Sequence, residues 1–262
     1  MAANIDEVVS AIEYVAPIEL AEEWDNSGLQ LRCAEKVNSA LIALDVTHAV
    51  ADEAVESGCD MIISHHPLIF SPIKALSENK PGENVVMRLV KAGISVYSAH
   101  TSFDKAAGGI NDELAKMLGL NGVKTIDGDG EGLLRVGALP QPMDRDGLSA
   151  HIKRVLGIDY LVTTDAECGM IENLGIAGGS GGGFLAAARE NGAAALLTGE
   201  AKHSHHIEAV QRGMLLVEAG HYATEQCFVS CFFDSLQSRL DAVQLHLGLK
   251  TATRESAPSR IG

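Results

Sequence analysis

Two hydrophobic rhythms alternate along the chain. The apolar positions Ile5, Val8, Val9, Ile12 and Val15 recur at helical spacing; Asn4 stands at the cap, Glu7 completes a capping box, and Pro17 helps to end the helix. From Ala40 the rhythm changes to ALIALDV, a continuous apolar run that predicts a buried strand. AVADEAVES follows as a helix, with Thr47 at its cap and Gly58 at its close. DMIIS, from Asp60, is the next buried strand and runs straight into His65 and His66. NVVMRLVKAG predicts a helix, ISVYSAH a strand and GINDELAKMLGL a helix. Fully apolar strands alternating with helices predict a largely parallel, covered sheet.

The middle is less regular. Gly128, Gly130 and Gly132 suggest a junction, after which GLLRVGALP, YLVTTD and ENLGIAGG read as strands and GLSAHIKRVLG as a helix. FLAAARENG, AALLTG, HHIEAVQRG, MLLVEAG and TEQCFVSCFFDSLQSRL restore the strand–helix rhythm. The predicted fold class is α/β, with two lobes of largely parallel or mixed sheets covered by helices. Residues 1–125 with 215–250 form the expected first lobe, 126–214 the second, and 251–262 a polar, flexible tail.

Composition narrows the function classes. Hydrophobic residues make up 46% of 262, enough for real cores, and the formal net charge is -15. So acidic a surface repels phosphate backbones and anionic lipid, which argues against general nucleic-acid or membrane binding. No run approaches the roughly 20 apolar residues of a spanning helix, and MAANIDEVVS lacks the basic-then-apolar pattern of a secretory signal. The five cysteines include no CxxC pair, as expected in a reducing cytoplasm. Cys227 and Cys231 share a helix face and read as small buried residues.

Three segments that carry chemistry each follow a predicted strand, where open α/β sheets place ligands. In SHHPLIF, side chains at neighbouring extended positions point opposite ways, and Pro67 biases His66 toward extended geometry. His65 and His66 are therefore expected to serve two ions, one each. AHTSFD offers Asp104 as a hard oxygen ligand, and His100 as a ligand or as a hydrogen-bonding partner of one. In EAGHYATE, a helix from Tyr222 puts His221 and Glu225 one turn apart on one face. Mixed imidazole and carboxylate donors suit Zn, Fe, Mn or Ni better than Mg or Ca. Five ligands exceed the needs of one catalytic ion with an open position and suit two divalent transition-metal ions per chain, with Glu225 as the expected bridge.

Other segments leave alternatives open. AGGSGGGF, with Gly181 and Gly182, reads as an anion cradle or as a tight turn in a site wall. TGEAKHSHH, with Glu200, His203, His205 and His206, reads as a solvated helix face or in part as a cleft lining. EEWDNSGLQL, with Trp24, Asp25 and Asn26, reads as a substrate-site rim or as a structural corner.

Taken in order, WDNSGLQL, ISHHPLIF, AHTSFD, GGSGGGF, LLTGEAKH and EAGHYATE resemble the Nif-three-like dinuclear metal centre family, whose members are commonly called GTP cyclohydrolase I type 2 homologues. The likeness runs from about residue 5 to residue 240, with HTSFD where relatives often have an HTNLD-like segment. It implies a short-form, two-lobed α/β subunit with a dinuclear site between the lobes, its ligands at His65, His66, Asp104, His221 and Glu225. It also implies a ring-shaped homohexamer. The implied activity is metal-dependent hydrolysis of a nucleotide or related small molecule, with His100 shuttling protons. The alternative is a non-catalytic, metal-binding scaffold or regulator.

Overall fold

The computed structural model describes residues 2–259, and the chain divides into two compact units, Met1–Gly109 with Phe228–Ser256 and Ile110–Cys227 with Ala257–Gly262. The chain enters the first unit through β1 (Ala3–Asn4) and α1 (Ile5–Val15), then β2 (Gly28–Leu31), β3 (Lys36–Val37) and β4 (Ser39–Ala43). The Asn4 side chain accepts from Asp6 N–H and Glu7 accepts from Asn4 N–H, so α1 has the expected capping box. After β4 come α2 (His48–Glu56), capped by Thr47, then β5 (Met61–Ser64), α3 (Pro81–Ala92), β6 (Ser95–Ser98) and α4 (Thr101–Lys105).

The second unit holds α5 (Ile110–Met117), β7 (Asn121–Ile126), β8 (Leu134–Met143), α6 (Arg145–Leu156), β9 (Val162–Thr163) and β10 (Ile171–Ala177). It continues with α7 (Leu185–Glu190), β11 (Ala195–Thr198), α8 (His203–Gln211), β12 (Leu215–Glu218) and α9 (His221–Glu225). The chain then returns to the first unit with α10 (Phe228–Ala242) and β13 (Gly248–Thr251).

In the first unit the sheet order is β13-β4-β5-β6-β2, with only β2 antiparallel to its neighbour. Leu41, Ile62 and Val96 face one way and pack with Val50, Ala54, Val85 and Leu89 of α2 and α3. The two-residue period turns Ile42, Ile63 and Tyr97 to the other face, where α10 lies against β4 and packs with α1. Both faces are covered, which is why these strands read as unbroken apolar runs.

The second sheet runs β7-β8-β10-β11-β12-β9, with β10, β11 and β12 parallel and the outer pairings antiparallel. Leu134, Leu185, Ala188, Leu196, Ala209 and Leu216 form its core. The expected divisions at 125 and 215 differ from this partition. Gly128–Gly130 is a single turn joining β7 to β8 within the second sheet, and β12 pairs with β11 there. TEQCFVSCFFDSLQSRL is also not one helix: α9 ends at Glu225 and α10 starts at Phe228.

The polar stretch after β13 is tied down as far as Glu255, unlike the flexible tail expected. Thr253 and Arg254 donate their N–H groups to the Glu53 carboxylate, and Arg254 pairs with Glu56. The Glu255 carboxylate accepts from Leu44 N–H and Asp45 N–H at 2.9 and 2.6 Å. No helix among the described residues is long and apolar enough to cross a membrane.

Candidate metal centre

Strands β4, β5 and β6 are parallel and end in register at Ala43, Ser64 and Ser98. The residues just beyond their carboxyl ends are Asp45, the pair His65–His66, and His100 with α4, so adjacent strand ends bring them together. One ring nitrogen from each of His65, His66 and His100 lies within 4.8 Å of the others. His65 Nε2 lies 3.7 Å from Asp104 Oδ1 on α4. The two adjacent histidines do not diverge as extended geometry predicts: their ring centroids are 4.9 Å apart. Strand β5 ends at Ser64, and the chain bends through His65 and His66, so strand alternation no longer applies.

Each histidine here is held by Nδ1. His65, whose side chain is fully buried against Phe228 of α10, bonds Ala99 O at 2.9 Å. His66 bonds Asp45 Oδ1 at 2.8 Å, and His100 bonds Asp25 Oδ1 at 2.7 Å. An oxygen at Nδ1 fixes the tautomer with the proton there and turns the Nε2 lone pair toward the cluster, the arrangement found behind metal-ligating imidazoles. The donor set therefore fits a divalent transition metal.

Asp25 orients; it does not form an open rim. Its side chain is wholly buried and also accepts from Asn26 N–H, Ser27 Oγ, Thr101 N–H and Thr101 Oγ1. Burial pushes its carboxyl up, but the bonds from His100, Thr101 and Ser27 outweigh burial and hold it well below the usual carboxylate range. Asn26 donates its side-chain amide to Ile69 O, fixing the loop that presents Phe70. Trp24 and Phe70 stay exposed, at 59% and 54%, with their rings 6.2 and 6.3 Å from the His100 ring. Phe70 carried no sequence signal beyond its place after HHP.

Replacing Asp25 with Asn puts an amide donor against the Ser27 and Thr101 donors. The expected cost is about 1–3 kcal/mol at neutral pH, read from the urea midpoint. Because the folded pKa is depressed, the Asp25 contribution is full above the unfolded value near 4 and is lost as pH falls toward the folded value. The gap between the wild type and D25N should narrow across that acid range; a constant gap would contradict the assignment.

The second unit repeats the logic. Strands β10, β11 and β12 are parallel and end in register at Ala177, Thr198 and Glu218. Beyond them come the glycine loop 178–183, Glu200, and α9 with His221 and Glu225. The predicted one-turn spacing holds: His221 Nε2 lies 3.0 Å from Glu225 Oε2. His221 Nδ1 lies 3.4 Å from Glu200 Oε1, which also takes the Ser180 hydroxyl. That hydroxyl lowers the Glu200 pKa against burial, and His221 adds to the effect.

The glycine loop packs against these groups. Gly179 has φ +56°, and a Cβ there would stand 2.2 Å from Glu225 Oε1. At Gly199 a Cβ would meet Gly179 O and His221 Cα at 2.7 Å, so only glycine lets the loop and the start of α9 approach. Gly181 and Gly182 are buried, the first donating its N–H to Thr198 Oγ1.

The family model of Duf34/NIF3 (NGG1p interacting factor 3) matches residues 3–258. The chain belongs to the Duf34/NIF3 family. A Lactococcus lactis member named GTP cyclohydrolase 1 type 2 homolog is 33% identical, over 90% of this chain and 92% of its own length. A Clostridium acetobutylicum protein of the same name is 32% identical over the whole of both chains. Among solved structures, a Staphylococcus aureus hypothetical protein superposes with TM-score 0.91 at 26% identity over 100% of each chain. A Bacillus cereus protein related to NIF3 shares the fold, with TM-score 0.92 at 22% identity over 100% of each chain.

The carboxylates that support these histidines differ in how far the sequence marks them. Asp45 and Glu200 carry the same strand-end signal as the histidines, and Glu200 stands in the TGEAKHSHH segment that reads in part as a cleft lining. Glu255 lies in a polar stretch with no such signal.

Proposed function

We propose that this NIF3 protein is a dinuclear metal-dependent hydrolase of the GTP cyclohydrolase I type 2 kind, acting on a nucleotide or related ring-bearing small molecule. The ligands in this reading are His65, His66, Asp104, His221 and Glu225, with two divalent ions of the Zn, Fe, Mn or Ni class per chain. The observation that carries it is the set of four imidazoles, His65, His66, His100 and His221, each with Nδ1 facing an oxygen acceptor and each at a parallel strand end. The names of the curated relatives support the reaction class.

When bound, such ions supply Lewis acidity and make a water nucleophilic near neutral pH. The chain's own groups do the rest. Asp25 keeps the proton of His100 on Nδ1, so Nε2 accepts a proton from the attacking water and returns it to the leaving nitrogen. Trp24 and Phe70 offer exposed aromatic faces beside His100 for a planar ring. Gly181 and Gly182, with Asn26, shape the substrate region in this reading. The self-association implied by the family resemblance, a homohexamer, belongs to the same proposal.

Protein purified after metal-replete growth should carry close to two transition-metal ions per chain by elemental analysis, and should convert GTP to a ring-opened product followed by chromatography. Zinc affinity should fall as pH is lowered, because imidazoles must be neutral to bind. Metal-free protein from replete cells, or affinity flat from about pH 8 to 5, would overturn the reading.

A further inference from the structure

The stretch after β13 is best understood from the end of β4. The β13–β4 ladder stops at Thr251 opposite Ile42, with Ala252 N–H donating to Ile42 O. Beyond it the backbone of Leu44 and Asp45 continues past the last strand partner on that side. Half-buried N–H groups there need acceptors, and one side chain supplies both. The Glu255 carboxylate takes Leu44 N–H and Asp45 N–H, one on each oxygen. Thr253 and Arg254, fixed on Glu53 of α2, set the path that brings Glu255 back.

The segment so held is the one that holds His66. Leu44 O accepts His66 N–H at 2.9 Å, and Asp45 Oδ1 bonds His66 Nδ1 at 2.8 Å. Both backbone and ring of His66 are therefore referenced to two residues whose amides Glu255 grips. His65 is held differently: it lies in the core against Phe228 and its Nδ1 bonds a main-chain oxygen.

We propose that Glu255 is a positioning residue for the metal ligand His66, acting through Leu44 and Asp45, with Ala252–Glu255 as a strap across the end of β4. This rests on the metal reading above. The strap never touches substrate or ion; its work is to keep the Asp45–His66 pair in register.

The test compares wild type with E255A, E255Q and R254A as full-length proteins, stripped of metal and titrated with Zn2+ by calorimetry. Amide exchange of Leu44 and Asp45, and the ring nitrogen shifts of His66, are read in the same metal-free samples. E255A should weaken zinc binding about 10–100-fold, as loss of an outer hydrogen-bond partner does. It should also speed exchange at both amides and disturb the His66 tautomer before any metal is added. E255Q keeps one acceptor oxygen and should fall between, releasing one amide; it also carries the test if E255A fails to fold. R254A keeps the main-chain N–H bond to Glu53, removes only the exposed side-chain pair with Glu56, and should bind zinc within about twofold of wild type. Wild-type affinity and unchanged amides in E255A and E255Q would overturn the strap, as would equal losses in R254A. If wild type itself takes up no zinc, the metal reading has failed; the exchange and tautomer results then decide separately whether Glu255 positions His66.

Discussion

Alanine at position 179 should cost zinc affinity far more than it costs stability. Gly179 sits at φ +56°, where an L side chain pays roughly 1–2 kcal/mol. The new Cβ would also stand 2.2 Å from Glu225 Oε1 and 3.3 Å from His221 Nε2. The atom in its way is the end of a flexible side chain, so the clash is relieved by driving the Glu225 carboxylate aside, not by breaking backbone. The loop itself stays pinned, because Gly179 N–H donates to Thr224 Oγ1 and Gly179 O accepts from Thr198 Oγ1. The strain therefore passes into the His221–Glu225 pair. Urea unfolding of G179A should fall by about 1–2 kcal/mol, while Zn2+ titration should show a loss of about 100-fold, or close to 3 kcal/mol. Wild-type zinc affinity in a folded G179A would remove Glu225 from the ligand set.

The second large effect separates charge from position. Glu225 is nearly buried on α9, its side chain 6% exposed. Glutamine has the same shape without the charge, so E225Q leaves packing intact and removes the donor expected to bridge two ions. Metal-free E225Q should unfold within about 1.5 kcal/mol of metal-free wild type, because glutamine conserves the volume and packing of the buried side chain. The rise in melting temperature that zinc gives wild type should vanish, since that rise follows from binding to the native state alone. The same variant distinguishes the enzyme from a non-catalytic scaffold. GTP turnover lost from an intact oligomer supports the hydrolase; an oligomer that falls apart, with no turnover in wild type, supports the scaffold.

Much of this was legible in the chain because of one physical rule. Strands covered on both faces must be apolar throughout, so a polar residue that ends such a run marks a sheet edge where ligands gather. His65, His66, Asp104, His221 and Glu225 became ligand candidates that way, and the family resemblance is what joined them into one proposed set. What stayed hidden depends on where a strand stops to within one residue. Had β5 run on through His66, the two rings would point apart; it ends at Ser64, and they stand side by side. Asp25 read equally as a rim residue or a structural corner, because polarity in a loop does not tell whether a carboxylate faces water or five donors. Glu255 was invisible because its meaning comes from a strand end more than two hundred positions earlier in the chain.

The order in which the chain visits its two units bears on how the protein is made. The body of the second unit, Ile110–Cys227, is synthesised in the middle of the first. When translation reaches Cys227, that body is complete, yet Phe103 still awaits Phe228 and Phe232 of α10, which fill the core beside it. The outer edge of β4 has no partner until Gly248–Thr251 emerges. For that interval the nascent first unit carries an open apolar edge of the kind that pairs with other chains. The half that begins first finishes last, and ribosome pausing late in the message would be felt there as aggregation.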